Sequence, residues 1–175
     1  MKKIAVLFSN GTEELEALTP VDVLRRCDGV VCDIIGVGGE YVVGSHGIKV
    51  KADKEITDFC VDDYDGIIVP GGMPGATNIT QNTVAVGAIK KCMQENKLVA
   101  SICASPAVVL ARHNLVNGKK VTCYPAEVFI KQLSNSVYTG EHLQRDSNLI
   151  TADGPESAFD FAKEIAKALG VTPKF

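Results

Sequence analysis

The sequence contains no tryptophan and no excess of positive charge: 18 Lys and Arg face 21 Asp and Glu, for a formal net charge of −3. That balance gives no electrostatic reason for binding nucleic acid or an anionic membrane. Long hydrophobic runs are also missing. The N-terminal apolar stretch Ile4 to Phe8 stops at Ser9-Asn10-Gly11, too short for the core of a secretion signal and far too short to cross a bilayer. No later stretch is long enough either, so the expected location is the cytosol. No Cys-x-x-Cys pair occurs among the six cysteines, and His46, His113 and His142 do not fall at zinc-finger spacing from them. A chain of this size builds its own core without disulfide staples, which leaves the cysteines as free thiols in a reducing compartment. The Walker and dinucleotide glycine patterns are absent as well.

What the chain does have is the composition of a single globular domain over residues 1–175, with 46% hydrophobic and 22% charged residues. Short apolar runs alternate with longer amphipathic ones. Ile4 to Phe8, Val30 to Gly36, Gly66 to Val69, Leu98 to Cys103 and Leu149 to Ala152 read as strands. Their near-continuous apolar character is that of parallel strands covered on both faces. Glu13 to Cys27, Val84 to Glu95, Pro106 to Arg112, Ala126 to Leu133 and Glu156 to Leu169 read as helices. The last opens after Gly154-Pro155, is expected to bury Phe159, Ile165 and Leu169, and stops at Gly170. Residues 37–53, rich in glycine, read as a hairpin excursion. This alternation predicts an open α/β sandwich of flavodoxin-like type, a mostly parallel sheet with helices on both faces. Sites in such sheets lie at the carboxyl ends of the strands, which selects the loops after Phe8, Val69 and Ile102.

The loop after Ile102 carries Cys103-Ala104-Ser105-Pro106. An apolar strand runs into Cys103, small residues permit a tight turn, and Pro106 suits a helix start: the layout of a nucleophile elbow. A thiol there would face a helix N-terminus, which favours thiolate, and the Ala104 N–H is a natural oxyanion donor. The alternative is a buried structural cysteine at a strand end. After Val69, Pro70-Gly71-Gly72-Met73-Pro74-Gly75-Ala76 reads as a glycine-rich turn whose N–H groups could complete an oxyanion hole. After Phe8, Thr12 is the expected N-cap, and Glu13 and Glu14 are expected to be solvated in the first helical turn. Glu16 admits two roles, first-turn complement to the helix dipole or desolvated proton carrier facing the cysteine. Three glutamates in four positions would repel a phosphate, which disfavours a flavin or nucleotide in this loop. His46 lies in the hairpin within reach of the site, His113 falls near the far end of the helix after Cys103, and His142 sits in a polar, exposed segment.

Taken together, Glu13-Glu14-Leu15-Glu16, Pro20 to Arg26, Pro70-Gly71-Gly72, Ile102-Cys103-Ala104 and Thr151 to Pro155 resemble the DJ-1/ThiJ/PfpI superfamily, within it the DJ-1 subfamily. The resemblance covers nearly the whole chain. It implies a homodimer, no cofactor, no metal, and a reactive pair in which the family's protonated glutamate falls on Glu16, its cysteine on Cys103 and its glycine donor on Gly72. It also implies glyoxalase or deglycase activity on reactive dicarbonyls such as methylglyoxal, or, in a different class, redox sensing or chaperoning through oxidation of the cysteine. The peptidase branch places histidine directly after the cysteine; here that position is Ala104, which argues against proteolysis. Tyr124 stands where the subfamily often has histidine, and His46 and Asp153 where it often has arginine. The substrate pocket, which by this resemblance takes in His46 and Tyr124, therefore offers less fixed positive charge.

Overall fold

The computed structural model describes residues 1–175. Its main elements in chain order are β1 (Lys2–Ser9), α1 (Glu14–Arg25), β2 (Val30–Val37), β3 (Tyr41–Val43), β4 (Lys49–Lys51), β5 (Lys54–Glu55) and β6 (Gly66–Val69). They continue with α2 (Gly75–Gln81), α3 (Thr83–Gln94), β7 (Leu98–Ile102), β8 (Lys120–Val121), α4 (Glu127–Ile130), β9 (Val137–Tyr138), β10 (Leu143–Asp146), β11 (Leu149–Ala152) and α5 (Ala158–Leu169). Seven strands form one sheet in the order β10-β11-β7-β6-β1-β2-β5. All pairs are parallel except β10 with β11, where Leu143 faces Ala152. The chain is thus an α/β flavodoxin-like sandwich.

The apolar runs are continuous because both faces of the sheet are covered. Along β1, Ile4, Val6 and Phe8 join Ala17 and Leu24 of α1 and Phe161 and Ile165 of α5 in one core layer. Ala5 and Leu7 point the other way, into a layer with Ile79 of α2 and Ile89 of α3. β1 pairs with β2 on one side and β6 on the other, so the sheet reverses its winding at β1 and the crevice opens at the carboxyl ends of β1, β6 and β7. No helix is long and apolar enough to cross a membrane.

Several local expectations are corrected. The helix after Cys103 is a wide π-helical turn, Pro106–Leu110, continued as a 3₁₀ turn over Ala111–His113. The glycine-rich turn after β6 leads directly into the short helix α2. The last helix begins with a 3₁₀ turn at Pro155–Ser157, and Phe159 is 46% exposed whereas Phe161 is fully buried. Six positions at 100° each place Phe159 about 120° round the helix from Ile165, on a face where it meets Phe175 at 5.6 Å between ring centroids. The excursion at 37–53 is a hairpin of β3 with β4, Val42 opposite Val50.

Candidate active site

Three strand ends build the site. β7 stops at Ile102, and Cys103 adopts φ 65°, a left-handed conformation uncommon for a side chain with a Cβ. The peptide is clamped on both sides: its N–H donates to the Ala152 carbonyl at 2.9 Å, and its carbonyl accepts the Tyr124 N–H at 2.8 Å. Ser105 Oγ, fully buried, donates to the Pro70 carbonyl at 2.5 Å and locks the elbow to the loop after β6. The Cys103 side chain is half-buried, and the backbone N–H groups of Gly72 and Ala104 are directed at its sulfur. Gly72 has φ +84°, and a Cβ there would lie 2.4 Å from the Glu13 nitrogen, so no side chain fits.

Glu16 enters from the first turn of α1. Its carboxyl is fully buried beside the Cys103 thiol. Oε2 accepts the Gly71 N–H at 2.7 Å, while Oε1 has no well-formed hydrogen bond. Gly71 sits between the two side chains: a Cβ on it would meet Cys103 Cβ and Glu16 Oε2, each at 2.7 Å.

Burial raises the Glu16 pKa from 4.5 to about 7, against the opposing influence of the Cys103 and Gly71 contacts. The Cys103 thiol is pushed up as well, first by burial and then by the Glu16 carboxylate, with the Gly72 and Ala104 N–H groups pulling the other way. This corrects the expectation that backbone placement alone acidifies the sulfur. The π-helical turn does not present it with a regular helix N-terminus, and a charged Glu16 holds its proton on. The two groups titrate as a pair. One proton leaves near neutrality, and the one that remains sits on either oxygen or sulfur. With the proton on Glu16, the repulsive carboxylate charge is gone, and the thiolate faces two backbone N–H groups and a carboxylic acid O–H.

The neighbouring glutamates are not solvated as the sequence suggests. Glu13, not Thr12, is the N-cap of α1, its Oε2 accepting the Glu16 N–H at 2.9 Å. Thr12 Oγ1 instead accepts the Ser9 N–H at 3.0 Å inside the loop. Glu14 is buried: Oε1 accepts the N–H groups of His46 at 2.8 Å and Ile48 at 3.4 Å, and Oε2 meets Ser45 Oγ at 3.2 Å and His46 Nδ1 at 2.8 Å. Burial opposes its charge, yet these contacts hold the Glu14 pKa below its ordinary value. They pin the β3–β4 loop onto the helix that carries Glu16.

The structure thus brings Cys103, Glu16, Gly72 and Ala104 together. His46 is drawn to Glu14 and is otherwise largely exposed. Glu13, Glu14 and His46 also form a group whose potential metal-ligating atoms lie within 4.8 Å of one another. Every oxygen of Glu14 there is already engaged by the loop. Tyr124 reaches Cys103 through its backbone, while its ring stacks edge-on against Phe129 at 6.4 Å. His113 lies away from the elbow, Nε2 at 2.9 Å from Thr80 Oγ1. His142 is exposed and pairs with Asp153 at 2.6 Å. Sequence reasoning took Gly71 only as part of a glycine-rich turn and Glu14 only as a solvated residue, and so missed the place of each in the site. The signal for Gly71 was its place directly before Gly72; Glu14 gave none.

A mostly parallel sheet with an elbow cysteine and a buried carboxyl beside it at the carboxyl edge defines an α/β protein of flavodoxin-like class. Comparison with known proteins makes the class specific. The sequence model of the DJ-1/PfpI family matches residues 2–168, and the chain belongs to that family. It is 36% identical over 166 residues to Protein DJ-1 homolog B of Arabidopsis thaliana, a match covering 94% of this chain and 37% of that much longer protein. It is 33% identical over 171 residues to Protein dj-1beta of Drosophila melanogaster, covering 96% of this chain and 89% of the relative. The structure of oxidized Toxoplasma gondii DJ-1 superposes with a TM-score of 0.89 at 36% identity, covering 97% of this chain and 91% of that one.

Proposed function

We propose that the protein is a cysteine-dependent, cofactor-free glyoxalase that also acts on the early amine adducts of dicarbonyls, in defence against carbonyl and oxidative stress. The observation that carries this reading is the buried Glu16 carboxyl, ionising near pH 7, set against a half-buried thiol whose sulfur faces two backbone N–H groups. A general acid–base of that pKa can hold or release a proton at neutral pH.

The chemistry follows from the placement. The proton resides on Glu16 and the Cys103 thiolate adds to the aldehyde carbon of methylglyoxal. A C–S bond forms, the carbonyl π pair moves to oxygen, and Glu16 supplies the proton of the resulting hemithioacetal hydroxyl. The Gly72 and Ala104 N–H groups beside the sulfur are the donors available to the developing oxyanion. Glu16, now ionised, takes the C–H proton of that carbon to give an enediolate; the hydroxyl proton passes from the first oxygen to the second, and Glu16 returns its proton to the neighbouring carbon, leaving an S-lactoyl thioester. Water cleaves the C–S bond, releasing lactate and the thiol. Overall, methylglyoxal plus water becomes a 2-hydroxy acid with no net oxidation. An aminocarbinol adduct enters the same path when the thiolate displaces the amine, which leaves with a proton from Glu16.

The test is turnover of methylglyoxal to lactate by Cys103→Ser. Loss of at least about 10³-fold is expected, since a neutral hydroxyl beside Glu16 is a far poorer nucleophile. A variant that retained the wild-type rate would sink the scheme.

A second reading uses the same sulfur. A thiolate reachable from solvent oxidises to sulfenic and then sulfinic acid, and protonated Glu16 could donate to the sulfinate. The solved relative in an oxidized form favours keeping it. Intact-mass measurement after mild peroxide, run beside the lactate assay, separates the two: oxidation without turnover supports the sensor.

A further inference from the structure

The two segments hydrogen-bonded to the Cys103 peptide also wall a cavity of about 400 Å³. Tyr124 and Pro125 form one side, and Asp153 to Ser157, following β11, form the other, with His142 at the edge. Gly154 lies flat under the Tyr124 ring, where a Cβ would stand 3.4 Å from Cδ2. The space therefore borders the segments that hold the Cys103 backbone, and one of its walls is aromatic.

Its charge is one-sided. No lysine or arginine lines it. Asp153 accepts from Ser157 Oγ at 2.5 Å and pairs with His142 at 2.6 Å, so a protonated imidazole is answered within the pocket. Glu156 remains in the lining, close enough to help stabilise the proton on His142 and in no salt bridge of its own. On the adjoining face of α5, Lys163 and Lys167 are taken up by Asp160 and Glu164.

We infer that this cavity receives the non-reacting part of the substrate and selects for a cationic group there: an ammonium carried by an α-oxoaldehyde or by its amine adduct. The inference rests on the glyoxalase reading for its chemistry and on the pocket alone for its selectivity. An ammonium beside an uncompensated carboxylate at the protein surface gains an attraction worth about five-fold in an equilibrium or rate, and a carboxylate loses as much.

Three phenylglyoxals test it, bearing a para trimethylammonium group, no substituent, or a para carboxylate, with kcat/KM measured for conversion to the corresponding mandelate at low salt. The cationic probe is expected to be used about five-fold better than the neutral one, and the neutral one about five-fold better than the anionic. Glu156→Lys, at an exposed position, is expected to reverse that order. Equal use of all three, or an order unchanged by the charge reversal, overturns the inference.

A second measurement does not need turnover. Modification of Cys103 by cationic and anionic methanethiosulfonates, read by peptide mass, is expected to favour the cation and to lose that preference in Glu156→Lys. If no phenylglyoxal is converted, the catalytic reading falls while the labelling ratio still decides the pocket. If turnover stands and the ratio is unity in the wild type, the pocket reading falls alone.

Discussion

Glu14 and Glu16 leave the same turn of α1 two residues apart, both are buried, and they live in opposite electrostatic worlds. Glu14 is surrounded by donors from the β3–β4 loop and stays ionised. Glu16 has one backbone donor and an oxygen left over, and its pKa rises to about 7. Burial is common to both; the supply of hydrogen-bond donors is not. The difference teaches that a fold can keep one carboxylate ionised and let its neighbour hold a proton near neutrality simply by routing donors to the first and withholding them from the second.

The comparison breaks most sharply at Glu16. Glu16→Gln keeps the shape but cannot carry the proton, and lactate formation is expected to fall by about 10²- to 10⁴-fold. Little change in rate would return Glu16 to a purely structural role. The same substitution bears on stability. In the fold Glu16 holds its proton up to about pH 7, while an unfolded glutamate releases it near 4.5. The native state therefore binds more protons across that window, and stability falls as pH rises through it, by on the order of 3 kcal/mol. Denaturant melts at pH 4.5 and pH 7.5 should show this decline in the wild type and a flatter profile in Glu16→Gln. The smallest effect belongs to the other side of the comparison. Glu14→Gln weakens charge-assisted bonds to the loop and should cost about 2 kcal/mol. Faster amide exchange at His46 and Ile48, with Cys103 chemistry largely intact, would show that Glu14 anchors the loop without serving the reaction; an equal loss of turnover would erase the distinction.

The fold was legible because its strands are covered on both faces and so read as unbroken apolar runs between turn-forming residues. Cys103 was legible for a related reason: a strand entering small residues and then Pro106 has few ways to continue except through an elbow. What stayed hidden depends on partners far along the chain. Glu14 is buried by the backbone of residues 46 and 48, more than thirty positions away, and nothing in Glu-Glu-Leu-Glu distinguishes the glutamate that gains those donors. The ionisation of Cys103 was misjudged because helix-end reasoning sees the turn and not the carboxyl brought opposite by another element. The β8–β9 pair, two residues per strand, is too short to carry any periodicity.

Gly71 has a quieter implication. The acid and the sulfur are held apart by the thickness of one bare peptide, with the Ile102 carbonyl 2.9 Å from where a methyl would stand. The Ile102 carbonyl and the Cys103 Cβ belong to the elbow itself, so an added carbon would have to displace the Glu16 carboxyl. The distance between carboxyl and thiol is thus set by the absence of a side chain at one position, and any residue other than glycine there would reset it.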